Sequence, residues 1–393
     1  MLAKTLGCSS RTLLLIPKRY ASIDYLLTAL KPTNAKNDSA SSSSKNSTST
    51  LQKAEEAPIS GVLPPRDLRK LVLTPSDLTN HFRQPEYAPP SIKVIGEAQA
   101  FFNRSKVTLE WTLANYEEIP DIKYELLQQK RSQGIREMDP FYKTEYHENL
   151  ANSKKTFGIP PEQLRPLPEV LLLGHTNVGK SSLLNNLLVN SKALEYAYVS
   201  QKAGYTKTLN CFNIGRKLRV IDSPGYGMFG ESKQGKVVLE YISKRHLLRR
   251  VFILIDSVEG FREEDIQMMD HLVSEGVPFE IVFTKVDVII AKFMPKKSVF
   301  NSTTKKSKAE RLEAARLVEE GNAKIIEYFE RMVSTAQLDE VVTVPRLIFN
   351  MAVTNRYADK IHGFKEVRTI ILESCGLLQS SGEKSTFNLE INE

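Results

Sequence analysis

Residues Gly174 to Ser181 read Gly-His-Thr-Asn-Val-Gly-Lys-Ser, a spacing of glycines, lysine and hydroxyl suited to holding phosphate. Gly174 and Gly179 let backbone N–H groups close around the phosphate oxygens, with Asn177 and Val178 on the loop between them. Lys180 reaches the β and γ phosphates, Ser181 can coordinate Mg2+ at the helix start, and Ser182 follows it. An apolar run, Val170 to Leu173, precedes the loop. A helix with Leu183, Leu184, Leu187 and Leu188 on one face follows it, which is the strand, loop and helix context the motif requires.

Phosphate chemistry does not name the base. Downstream, Thr284-Lys285-Val286-Asp287 closes another apolar strand, where a carboxylate can accept two N–H groups of guanine while the lysine stem lies over the ring. Adenine lacks that paired donor edge, so GTP and GDP are expected over ATP. Between the two motifs lies Ile221-Asp222-Ser223-Pro224-Gly225. There Asp222 can hold Mg2+ through water and the Gly225 amide can sense the γ phosphate. Gly204 and Thr206, in Lys202-Ala203-Gly204-Tyr205-Thr206, sit on a polar segment where the threonine hydroxyl completes the Mg2+ shell. The metal ligands expected are therefore Ser181, Thr206 and Asp222. His175 reads as a solvent-facing loop residue rather than an acid or base.

These residues need a scaffold that brings strand ends together. From Pro166 onward short apolar strands alternate with amphipathic helices, which predicts an α/β domain with a mostly parallel central sheet flanked by helices. The strands expected are 170–173, 209–214, 218–221, 251–255, 280–283 and 346–350, with one antiparallel hairpin turning at Gly215-Arg216. Upstream, residues 60–165 read as a mainly helical extension without recognisable chemistry, the stretch IGEAQAFFNRSKVTLEWTLANY included. Residues 21–59 contain the low-complexity run DSASSSSKNSTST and read as a largely disordered linker, and 377–393 as a flexible tail.

The first 23 residues carry Lys4, Arg11, Lys18 and Arg19 before the first acid, Asp24, a composition that reads as a mitochondrial presequence cut after Tyr20. Matrix localisation is the expectation. No run approaches 18 consecutive apolar residues, so no transmembrane span is predicted, and the scattered Cys8, Cys211 and Cys375 suggest neither a disulfide framework nor a zinc site. A net charge of +8 suits a polyanionic partner only weakly, because the presequence supplies part of it. Six lysines without an acid between Lys292 and Lys308 admit two readings, a grip on rRNA phosphates or a solvated loop.

Taken together, PEVLLLGHTNVGKSSLLNNLL, KAGYTKTLNCFNI, VIDSPGYGMFG, the LIDSVEGFREEDIQMMDHLVSEGVP region and FTKVD resemble the EngB/YihA GTPases, a branch of the Era-like, translation-factor-class P-loop enzymes. The resemblance covers 166–376 and, with the presequence, is to a fungal mitochondrial member. It implies slow, partner- or cation-stimulated GTP hydrolysis and a switch role in mitochondrial ribosome assembly, at the large subunit or its precursor with rRNA, or in mitochondrial translation. A scaffold regulating translation without significant turnover is the rival reading. By position, Met351 and Ala352 fall in the last guanine-contact loop, although no serine stands there. Ala203 replaces the usual proline before Gly-x-Thr. Tyr226 takes the place of the glutamine that orients water in Ras-like enzymes, so no side chain is assigned a catalytic role. Asn177 either binds a K+ that stands in for an arginine finger or caps its own loop.

Overall fold

Each central strand is apolar on both faces because helices cover the sheet on both sides. On β2 (Glu169–Gly174), Val170 and Leu172 enter one core while Leu171 and Leu173 enter the other. This two-residue alternation divides the interior of the computed structural model into two apolar layers. It describes residues 67–142, 144–153, 155–188, 208–226, 232–300, 307–338 and 345–378. All of them belong to one unit beginning at Val62. The presequence, the linker, Gly204, Thr206 and the tail from 379 lie outside the described residues.

A seven-stranded sheet runs in the order β1-β3-β4-β2-β5-β6-β7. The parallel part comprises β4 (Leu218–Asp222), β2, β5 (Leu248–Asp256), β6 (Phe279–Thr284) and β7 (Leu347–Phe349). β3 (Leu209–Ile214) joins β4 as the expected antiparallel hairpin, with Gly215 and Arg216 both at positive φ in the turn. The mostly parallel α/β class read from the sequence is the one observed.

The upstream segment is part of this sheet. α1 (Pro75–His81) starts in a capping box made by Thr74 and Asp77 and lies along the outer edge of β7. There the Thr79 hydroxyl accepts the Phe349 N–H at 3.1 Å. α2 (Ile92–Arg104) packs on the last helix of the unit, and β1 (Val107–Leu113) then pairs antiparallel with β3. Residues 107–113 are thus a strand where the sequence reading placed helical packing. Val107, Leu109, Trp111 and Leu113 alternate with Thr108, Glu110 and Thr112, a period of two that suits a sheet edge. Helical residues α3 (Pro120–Arg136) and α4 (Glu145–Asn152) complete the segment.

One helical layer consists of α5 (Lys180–Leu188), α2 and the terminal helix. The other contains α6 (Ser232–Lys244), α7 (Glu263–Ser274), α8 (Val286–Phe293) and, after the short α9 (Lys297–Phe300), the long α10 (Lys308–Thr335). The terminal helix, α11 (Phe364–Ser374), is followed by Leu377 and Leu378, which pack against the core. Of the lysine run, Lys292 lies over the rings of Phe293 and Tyr328, and α9 packs Phe300 on Tyr357 at 5.2 Å. Lys292 and Lys297 thus lie in helices, Lys296 lies in the connection between them, Lys308 begins α10, and 301–306 lie outside the described residues.

Candidate functional site

β2 delivers the phosphate loop at its carboxyl end. Gly174 has φ +152°, and a Cβ there would stand 2.8 Å from the Leu254 carbonyl oxygen, so no other residue fits without moving β5. Asn177 and Gly179 also have positive φ, +63° and +104°, which curls the loop before α5 begins at Lys180. The Lys180 ammonium is buried and donates to the carbonyls of Gly174 at 2.8 Å and His175 at 3.1 Å. Burial lowers its pKa to about 8 against the opposing pull of Asp222 and Asp265. An anionic ligand here would supply the compensating charge. Ser181 and Ser182, both half-buried, lie in the first turn of the same helix, where the dipole favours negative charge.

Asp222 ends β4 directly beside Leu172 of β2. Only 1% of it is exposed, and Oδ1 has no hydrogen-bond partner among the described residues. Burial pushes the carboxyl up to about 6, against Lys180 and a hydrogen bond to Asn210. A buried carboxylate oxygen without a donor, near enough to Lys180 at the start of α5 to feel its charge, is a hard oxygen donor that fits Mg2+. Beyond it, Gly225 passes so close to the phosphate loop that a Cβ would meet Thr176 backbone atoms at 2.8 Å. Thr176 N–H donates to the Tyr226 carbonyl at 3.2 Å, and Tyr226 N–H to the Gly174 carbonyl at 3.4 Å.

Thr284, at the end of β6, donates its hydroxyl to the Val178 carbonyl at 2.6 Å. The first residue of the base motif is therefore a brace holding the phosphate loop against the base loop, and it is itself buried. We expect Thr284→Val, which keeps the shape and removes the donor, to weaken GTP and GDP alike by roughly tenfold, the worth of one buried hydrogen bond. Titration with both nucleotides checks this, and a change in the preference for GTP over ATP would instead place Thr284 on the base.

Lys285 adopts the left-handed conformation at φ +56° and sends its ammonium to Asp256 Oδ2 at 2.5 Å. Asp287 follows in the first turn of α8, where desolvation raises its carboxyl above the ordinary value. The last loop is tied to this one: Asn350 N–H donates to the Phe283 carbonyl at 2.7 Å, and the Asn355 side chain donates to the Asp287 carbonyl at 3.0 Å. Met351 is buried and its N–H is engaged by the His362 carbonyl at 3.1 Å. Ala352 is half-buried beside it, its carbonyl accepting from the Asn186 side chain at 3.4 Å.

His175 is not solvent-facing: it is 6% exposed, its ring within 2.8 Å of the Arg262 guanidinium. Burial, then Arg262, lowers its pKa. Sequence reading also missed Asp256 and Asn355. Asp256 carried a signal, an acid at the carboxyl end of an apolar strand; Asn355, inside an irregular loop, carried none.

The family profile described as 50S ribosome-binding GTPase matches residues 169–285. MIOREX complex component 8 of Saccharomyces cerevisiae is 32% identical over 295 residues, covering 74% of this chain and 77% of that protein. The GTP-binding protein EngB of Streptococcus pyogenes is 44% identical over 128 residues, 31% of this chain and 63% of its own length. Among solved structures, an Era variant of Aquifex aeolicus bound to GDP and AlF4- overlays 55% of this chain and 58% of its own at 21% identity, with a TM-score of 0.34. On the identity and coverage of the curated relatives, the chain belongs to the EngB-type P-loop GTPases, enzymes that bind GTP and hydrolyse it.

Proposed function

We propose that this GTPase is a nucleotide-governed switch on the mitochondrial ribosome, acting on the large subunit or its precursor. The observation that carries the nucleotide half is the Thr284 to Val178 bond, which welds a phosphate loop to a base loop at one end of the sheet. In this reading Gly174, Asn177, Val178, Gly179, Lys180, Ser181 and Ser182 hold the phosphates. Asp222, Ser181 and, outside the described residues, Thr206 hold Mg2+, with Gly204 beside the threonine. Lys285, Asp287 and the Met351-Ala352 loop define the guanine pocket, Thr284 braces that pocket against the phosphate loop, and Gly225 meets the γ phosphate. Mg2+, when bound, neutralises charge on the phosphate oxygens. Turnover is slow because Tyr226 cannot orient water as glutamine does. A K+ at Asn177 would supply charge stabilisation, and replacing K+ with Na+ in the turnover assay tests that role.

The ribosomal half is supported by the 50S-binding description of the matching family profile and the mitochondrial half by the acid-free basic start. Sedimenting the purified chain with mitochondrial ribosomal particles tests both. The expected result is co-sedimentation with the large subunit in a GTP analogue and release in GDP, because a switch requires different contacts in its two states. Identical sedimentation in both nucleotides would overturn the switch. No sedimentation in either, together with no GTP turnover, would favour the scaffold reading.

A further inference from the structure

Tyr226 stands where Ras-like enzymes carry their water-orienting glutamine, and the structure turns its side chain elsewhere. The phenol donates to Asp265 Oδ1 at 2.7 Å, and Asp265 is 2% exposed. The other carboxylate oxygen, Oδ2, accepts the Arg262 N–H at 2.9 Å and so belongs to the cap of α7. The Arg262 side chain in turn rests against the His175 ring, on the second residue of the phosphate loop. The amino end of α7 thus grips two segments at once: the phosphate loop through Arg262, and the Gly225-Tyr226 segment through Asp265. Burial, then Asp265, holds the Tyr226 phenol well above its ordinary pKa, which keeps it a hydrogen-bond donor at any working pH.

Backbone contacts show what this grip fixes. Tyr226 exchanges hydrogen bonds with Gly174 and Thr176, and Gly225 lies against Thr176 with no space for a Cβ. A displacement of Tyr226 therefore carries the Gly225 amide with it. We propose that Tyr226 is a positioning residue which, through its hydrogen bond to Asp265, holds the Gly225 amide at the rim of the phosphate loop and so sets the preference for GTP over GDP. This rests on Gly225 as the γ-phosphate contact. GDP has no γ phosphate to meet that amide, so the grip discriminates between the nucleotides instead of strengthening both.

The test compares Tyr226→Phe, Asp265→Asn and Gly225→Ala in the full chain, measuring affinity for GDP and for a non-hydrolysable GTP analogue by fluorescence titration, with GTP turnover and thermal midpoint alongside. Tyr226→Phe should lose about tenfold in analogue affinity, the range for a hydrogen bond to a charged group, and keep GDP affinity within about twofold. Its kcat should fall in parallel. Asp265→Asn, which keeps an uncharged acceptor oxygen for the phenol, should lose about threefold, and combining it with Tyr226→Phe should add little to the latter, since both act on the same bond. Should Tyr226→Phe fail to fold by thermal melt, Asp265→Asn carries the same prediction. Equal loss of both nucleotides, or an unchanged ratio, overturns the proposal as a purely structural contact. If Gly225→Ala keeps the wild-type ratio, the γ-phosphate reading fails and takes the proposal with it; a collapsed ratio in Gly225→Ala beside an unaffected Tyr226→Phe removes the proposal alone.

Discussion

Asp287→Asn should lose GTP by about a hundredfold or more and admit xanthosine triphosphate in its place. The carboxylate stands in the first turn of α8, in surroundings that raise its pKa through desolvation. Hydrogen bonds to an ionised acceptor in such a place are worth about 1.5–3 kcal/mol each, so losing two costs about 3 kcal/mol or more. Asparagine offers one acceptor and one donor. Guanine presents two donors and leaves the new amide N–H facing another N–H, whereas the 2-keto group of xanthine accepts it. Calorimetric titration of wild type and variant with GTP, xanthosine triphosphate and ATP reads the exchange directly. A variant that keeps GTP and rejects xanthosine triphosphate would show that Asp287 does not face the base. Wild type binding ATP as well as GTP would remove the guanine assignment altogether.

Phosphate and base motifs were legible in the sequence because their spacing is dictated by local backbone geometry. Gly174 must be glycine at φ +152°, and a lysine five residues beyond His175 reaches back to the loop carbonyls whatever the rest of the chain does. The hairpin at Gly215-Arg216 and the apolar strands were legible for the same reason. What was not legible depends on partners far away in the chain. That the Thr284 hydroxyl meets Val178, 106 residues earlier, is revealed by nothing local. His175 looked exposed because its cover, Arg262, comes from α7. β1 was hidden by its place directly after the amphipathic α2, and only its pairing with β3 makes its short alternation decisive. The positions missed are those where tertiary contact overrides a locally adequate reading.

The same distance in sequence makes Glu169 a sensitive position for stability. It opens β2, is wholly buried, and accepts from Arg245 Nε at 2.7 Å, from the second Arg245 nitrogen at 2.6 Å, and from the Tyr241 hydroxyl. Arg219 lies beside it at 3.4 Å and is itself clasped by Glu110 of β1 at 2.7 Å, while Arg245 also reaches Asp121 of α3 at 2.6 Å. Burial alone would lower the pKa of each guanidinium; hydrogen bonds to Glu110 and Glu169 outweigh it, and both arginines end above their ordinary value. This cluster fastens the upstream segment to the sheet. Glu169→Ala should therefore cost about 3–5 kcal/mol, because it leaves Arg245 with only Asp121 as an acid partner among the described residues. For a unit of this size that corresponds to a fall in melting temperature of roughly 5–15 °C. Arg219 is less affected, since Glu110 remains bidentate on it through Nε at 2.9 Å. The cluster lies at the amino end of β2, and the phosphate loop leaves from the carboxyl end, so the ratio of GTP to GDP affinity measured well below the melt should stay as in wild type. A melting temperature within about 2 °C of wild type would mean that the ion pairs only offset their own desolvation. A changed nucleotide ratio in a folded variant would mean instead that strain at the far end of β2 is transmitted along the strand to Gly174.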